Sequence, residues 1–447
     1  MNQISTAPNN APGNNTAALP QAGIVSDVTQ GLVQLAANLS AELWLNVQPG
    51  QPVLIRGEAP HAALMESIAE ACRARGSGDV IIYTRDARAL RQRLDSEDLA
   101  QLATPPAGLK EASERIVRER GALLRVVGEE DPALFNGLDP ARSAALNNAE
   151  KSASADLTHA IMAGKINRCL LPWPTPGWAS QVFPNVSKDQ AFSQLSQVLA
   201  DVCCLNAADP RKAFLEQDAT LERRRKHLEA LDLTGLRFEG PGTALNVGLS
   251  PLHKWLAGGK ITSDERAIRY FANVPMGEIF TTPDCRTVSG TVAVTVPSII
   301  HGVPVEGIKL RFHEGRLVEF SAESNEAQLA QLIARHPRAS YLGEIALVGN
   351  DSPLAAIHYV FYSTLLDEKM RSHLAIGAAY LSALVDGDQL TSSQQERLGV
   401  NLSSCPVHHD VMISSPQVNV YGLRRDGSST ALLNGGAWDE PQEPAHP

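Results

Sequence analysis

The stretch Pro49-Gly50-Gln51-Pro52-Val53-Leu54-Ile55, the amphipathic run Ala62 to Ala74, and Val80-Ile81-Ile82-Tyr83 together decide the fold class. The Pro-Gly pair turns the chain into a short apolar strand. Apolar residues at helical spacing then carry it to a second apolar strand. Strand, helix, strand in that order is a β-α-β unit, the building block of a parallel sheet. No GxGxxG opens the helix, so a dinucleotide-binding version has no support.

Upstream, Leu32, Leu35, Ala36, Leu39 and Leu43 repeat at helical spacing. Met1 to Val25 is rich in Asn, Ala, Pro, Thr and Gly, with neither a basic nor an apolar region, and reads as a disordered tail rather than a signal peptide. Downstream, Leu90 to Leu157 is charged and helical in character. Leu171 to Trp178 breaks regular structure, and there closes the first domain or frames a pocket edge. Phe192 to Leu231 reads as a helical connector. From Leu236 the character changes to strands with Gly-rich turns: Leu245–Leu249, Thr291–Val296, Ile308–Phe312 and Leu317–Ser321. Phe361 to Leu384 reads as a strand leading into a helix. The expected class is α/β, with an N-terminal α/β domain built on a parallel sheet and a C-terminal mixed α+β domain. The expected bounds are a tail at 1–25 and domains at 26–235 and 236–447.

The chain has 447 residues, 43% hydrophobic and 20% charged, which suits a globular protein of two to three domains. A net charge of −10 argues against nucleic acid as a partner, because phosphate binding needs basic density. No apolar run reaches about 18 residues, so no membrane span is expected. The six cysteines are scattered without a CxxC pair, which fits reduced thiols in a cytoplasmic protein.

Four short segments of the C-terminal half carry metal-ligand residue types. They are Gly277-Glu278-Ile279-Phe280, Leu342-Gly343-Glu344, Asp367-Glu368 followed by His373 and Tyr380, and His408-His409-Asp410. Carboxylates and histidines at such separated positions suit a dinuclear metal centre assembled in three dimensions. On an extended segment His408 and Asp410 share a face, and His409 points the other way. Glu278 and Glu344 each follow a glycine and precede apolar residues, so burying either needs a cation or donor, although a solvated strand face accommodates them equally. On a helix His373 and Tyr380, two turns apart, share a face, with Glu368 near the helix start, where a carboxylate also suits an ordinary N-terminus.

Taken with Leu45–Ile55, Pro174–Ala179 and the runs GEIFTTPD, YLGEIALVGNDSP, FYSTLLDEKMRSHLAIGAAY and VHHDVMISSP, the chain resembles the aminopeptidase T and aminopeptidase S family of dinuclear metallopeptidases. The resemblance covers nearly everything after the tail. It implies that Glu278, Glu344, His373, His408 and Asp410 ligate two divalent ions (zinc, cobalt or manganese), with Glu344 bridging. It also implies a catalytic Tyr380, a Glu368 carboxylate beside the metals, a small peptide or amide substrate, and a homodimer. The chain departs from the family at Lys369-Met370-Arg371, where relatives carry small or polar residues, and at His409, Ser414 and His358. A bulky cationic pair there would narrow the pocket or bind a carboxylate. Two other chemistries suit the same scaffold. One is a non-haem Fe(II) dioxygenase cleaving a hydroxylated pyridine-type ring, with His408, Asp410 and His373 or His358 as its triad. The other is a small-molecule amidase.

Overall fold

The computed structural model describes residues 22–135, 137–300 and 302–440. A helix, Ala22–Leu39, continues through a π turn at Ser40–Trp44 and packs on the helix Ala62–Ala74. The helix therefore takes in Ala22 to Val25, so the expected tail is four residues shorter at its C-terminal end. Ile24, Val28 and Leu32 are spaced four apart and extend the same helical period upstream. The rest of the expected tail, residues 1–21, lies outside the described residues.

The N-terminal half is built on four parallel strands: β1 Val53–Glu58, β2 Val80–Arg85, β3 Ala122–Val127 and β4 Asn167–Pro172, in the order β2-β1-β3-β4. Val53 stands opposite both Val80 and Ala122, and Ala122 opposite Asn167. One face of this sheet packs Ile55, Leu124, Val126 and Leu171 against Leu64, Met65 and Ile68 of the covering helix. Each such buried aliphatic side chain contributes about 2 kcal/mol. Strands β3 and β4 correct the sequence reading. β3 is a six-residue strand, apolar but for Arg125, between Arg118-Glu119-Arg120 and Glu129-Glu130, and these charges disguise it as part of a helical region. β4 ends at Pro172, so Leu171 and Pro172 complete a strand instead of interrupting structure.

The expected helical connector is two helices. Lys188–Val202 is capped by Ser187 in a capping box with Gln190. Pro210–Ala230 has Asp209 as its cap and Pro210 at its first turn. The second helix ties the halves together. The Phe214 ring meets Trp44 and Phe271 at centroid distances of 5.7 and 4.9 Å, and Asp218 accepts from the Gly259 N–H (2.9 Å) and pairs with Arg269.

Among the described residues the C-terminal half holds two main antiparallel sheets and two two-stranded ribbons. The larger has eight strands, in the spatial order Arg316–Ser321, Lys309–His313, Ser289–Ala293, Thr243–Gly248, Leu233–Gly240, Asn419–Arg424, Ser429–Asn434 and Ala437–Trp438. The smaller comprises β5 Leu256–Ala257, β6 Ile279–Thr281, β7 Leu342–Leu347, β8 His373–Gly377 and β9 His408–Met412, in the order β9-β8-β7-β6-β5. The architecture is thus a two-domain α/β fold with a parallel sheet followed by a mixed α+β half. Phe361–Leu384 runs opposite to expectation. A short helix, Thr364–Asp367, and a 3-10 turn, Glu368–Met370, come first, and the strand β8 follows. His373 to Gly377 are all buried between β7 and β9, and this pairing overrides any helical tendency. His373 and Tyr380 therefore share no helix face. Among the described residues no helix is long and apolar enough to cross a membrane.

Candidate metal centre

Three adjacent strands and two flanking turns carry the site. Glu344 lies on β7, whose six residues are all buried, and is itself 5% exposed. The β7–β8 register shifts between Leu342 and Glu344, a bulge that re-aims the carboxylate. Gly343 makes this possible, since a Cβ there would stand 2.1 Å from the Ala378 carbonyl oxygen. On β8, His373 is 1% exposed. Its Nδ1 donates to the Arg371 carbonyl (3.2 Å), and its Nε2 faces Glu278 Oε2 at 3.4 Å and Glu344 Oε1 at 3.7 Å. On β9, His408 Nδ1 donates to the Ala378 carbonyl (2.7 Å), leaving Nε2 3.7 Å from Glu344 Oε2 and 3.6 Å from Asp410 Oδ1. Both imidazoles thus spend Nδ1–H on a backbone carbonyl and turn Nε2 inward, the arrangement that orients a ligating histidine.

The alternation expected along His408-His409-Asp410 holds. His408 and Asp410 face the cluster, and His409 Nε2 lies 2.7 Å from Ser298 Oγ. Glu278 stands just before β6. Beside it Gly277 is pressed against Lys369, where a Cβ would come within 3.3 Å of the lysine Cβ. The five proposed ligands therefore meet. Glu278, Glu344 and His373 present atoms within 4.8 Å of one another. Glu344 Oε2, His373 Nε2 and Asp410 Oδ1 are buried with no hydrogen-bond partner among the described residues. Buried polar atoms without partners are costly, and here they converge from three strands. A cation satisfies all of them at once, so the residues present fit a divalent ion.

The electrostatics agree. Burial pulls the His373 imidazole down, but the carboxylates of Glu344, Glu278 and Asp410 around it push it up to about 10. Burial, reinforced by Asp410, raises the Glu344 carboxyl against the lowering effect of both histidines. Glu368 sits on the 3-10 turn, and burial together with Glu278 and Asp410 lifts its carboxyl to about 7 despite the adjacent Lys369. The Tyr380 ring is 43% exposed and packs 4.4 Å from the His408 ring. Desolvation and the four nearby carboxylates raise its hydroxyl well above the usual phenol range, which keeps it protonated. A cavity beside the cluster is lined by Ile299, Tyr362, Glu368, His408, Asp410 and Met412.

The departures now have positions. Lys369 pairs with Glu278 and Glu368. Met370 is buried, and Arg371 donates to the carbonyls of Ala355 and Met370, the latter at 2.7 Å. The cationic pair is therefore held by protein groups, and Arg371 is committed to backbone. Ser414 Oγ accepts from the Ser372 N–H (2.8 Å), which anchors the start of β8. His358 is exposed. Trp178 is buried, with Nε1 donating to the Phe361 carbonyl (2.5 Å), so it packs the segment ahead of Glu368. The sequence did not single out Lys260, on the short strand Lys260–Ile261. Burial and Arg168 pull its ammonium down to about 8, against Glu278 and Glu344, and its Nζ is 6.0 Å from the Phe280 ring centre. Only its position in three dimensions reveals it.

The family model described as thermophilic metalloprotease (M29) matches residues 29–438. The chain belongs to the M29 metalloprotease family. It is similar to aminopeptidase PepS of Streptococcus thermophilus, at 31% identity over 90% of this chain and 96% of the relative. It is similar also to aminopeptidase T of Thermus thermophilus, at 33% identity over 90% of this chain and 97% of the relative. The solved structure of wild-type AmpT from Thermus thermophilus superposes with a TM-score of 0.84 at 32% identity, covering 92% of this chain and 100% of that one. The M29 chain is accordingly a hydrolase of the metallopeptidase class, which implies a divalent metal.

Proposed function

We propose that this metallo-aminopeptidase releases N-terminal amino acids from short peptides at a dinuclear centre held by Glu278, Glu344, His373, His408 and Asp410. The observation that carries the reading is the convergence of partnerless Glu344 Oε2, His373 Nε2 and Asp410 Oδ1 in one buried cluster. Two divalent ions (zinc, cobalt or manganese) would supply Lewis-acid activation of water near neutral pH. Glu344, facing both histidines, is the natural shared ligand.

The chain's own groups do the rest. Glu368, lifted to about 7, is matched to accepting a proton from the attacking water and returning it to the leaving amine. The Tyr380 hydroxyl, held protonated, donates to the oxygen of the carbonyl under attack. The cavity beside Glu368 sets Ile299, Tyr362 and Met412 among polar groups such as Ser298, Thr364 and His409, and gives a small substrate access to the cluster. We place this machinery wholly in a domain spanning 236–447, downstream of a scaffolding domain at 26–235, in a cytoplasmic homodimer. The six free cysteines, all buried, suit that compartment. The match to a metalloprotease family across 29–438 favours peptide hydrolysis over the ring-cleaving dioxygenase and the small-molecule amidase.

The test is leucine-anilide release after chelation and re-addition of zinc, cobalt or manganese. Activity lost with the chelator and restored by the ion is the expected result. Release untouched by exhaustive chelation would overturn the reading.

A further inference from the structure

The centre contains a cation of its own. Lys369 is 1% exposed, with Nζ 3.4 Å from Glu278 Oε1 and in contact with Glu368 Oε1. Its backbone is clamped, because Ser352 Oγ donates to the Lys369 carbonyl (2.8 Å) and Gly277 abuts its Cβ. An ammonium this deep is tolerable only when carboxylates compensate it, and this one has two. The cluster thereby divides. Glu278 Oε1 and Glu368 Oε1 already face a fixed positive charge, while Glu278 Oε2 stays 3.4 Å from His373 Nε2 and so borders both parts. The atoms left without a partner are Glu344 Oε2, His373 Nε2 and Asp410 Oδ1, with His408 Nε2 within 3.7 Å of the two carboxylates.

We propose that Lys369 makes the two metal positions unequal. Glu344, His373, His408 and Asp410 hold one divalent ion tightly. The position that draws on Glu278, beside the Glu368 carboxylate, is weakened by the ammonium that already neutralises both. A second ion there shares Glu278 with the lysine and is repelled by it, whereas the first meets ligands with no competing cation. The inference rests on the metal-centre reading above and adds to it an asymmetry that this chain's own lysine imposes.

The test is calorimetric titration of the demetallated full chain with zinc, backed by elemental analysis at saturation. The wild type is expected to bind one ion tightly and a second at least tenfold more weakly. Lys369→Met, which removes the charge at similar length, is expected to tighten the second constant at least tenfold and leave the first within about threefold. Lys369→Arg keeps the charge and is expected to keep the gap. Two equal wild-type constants would overturn the proposal without any variant, so a misfolded Lys369→Met cannot shield it. A second constant that weakens in Lys369→Met would also overturn it, by making the lysine a ligand. The metal-centre reading fails separately, through a wild type that binds no zinc at all.

Discussion

His61, beside the parallel sheet, and His373, on the five-stranded sheet, are equally inaccessible at 0% and 1% exposure, yet their imidazoles move in opposite directions. Burial pushes His61 down to about 4. Its Nδ1 accepts from the Glu58 N–H (3.2 Å) and caps the turn that follows β1. His373 suffers the same burial but faces Glu344 and Glu278, and with Asp410 near they push it up to about 10. Desolvation is common to both, so the difference comes from the carboxylates. In the first half His61 Nδ1 closes a turn, and the ring's unpartnered Nε2 is buried without carboxylates around it. The second gathers four carboxylates around two histidines, an arrangement with no structural benefit unless a cation compensates it.

The largest effect that sharpens this contrast belongs to the proton-handling residues. Glu368→Gln is expected to lower kcat by about 10²- to 10⁴-fold, the usual contribution of a general acid–base group. Tyr380→Phe is expected to cost about 10²- to 10³-fold, as for one donor to a developing oxyanion. Steady-state kinetics on leucine-anilide, with thermal unfolding as a folding control, checks both. Loss of activity in Glu368→Gln below tenfold would remove it from the reaction.

A smaller effect tests the other half of the comparison. The folded-state value of His61 lies below its unfolded value, so the folded protein keeps it neutral while the unfolded chain takes up a proton as pH falls. Its contribution is therefore constant above about 6.5 and is lost progressively between there and about 4, where it reaches about 3 kcal/mol. Urea unfolding at pH 7 and pH 5 should show that decline. His61→Gln, which does not titrate, should flatten it without changing kcat at pH 7. An unaltered slope in the variant would place the acid sensitivity elsewhere.

Much of this was legible in the sequence. Where pattern and pairing agree, as in β1 and β2, apolar runs bounded by Pro-Gly and a helix gave the parallel sheet directly. The period of two gave the shared face of His408 and Asp410 without further information. The failures have a common physical origin. Leu374-Ala375-Ile376-Gly377, after His373, is a short apolar run, and such runs suit a buried helix as well as a buried strand until their neighbours are known. Ala122–Val127 was masked by the charged turns on either side. Lys369 read as bulk near a pocket, because only the fold sets its ammonium between Glu278 and Glu368. Lys260 carries no local signal at all.

The most direct measurement is the metal content of Glu344→Gln beside the wild type, by elemental analysis after loading and desalting, with thermal unfolding of both. Among the described residues Glu344 is the one carboxylate paired with both histidines. Its amide should leave the fold intact, strip the bound metal, and reduce leucine-anilide release by more than the 10³-fold a single electrostatic donor supplies. A Glu344→Gln protein that holds the wild-type complement of metal and still cleaves would contradict the account.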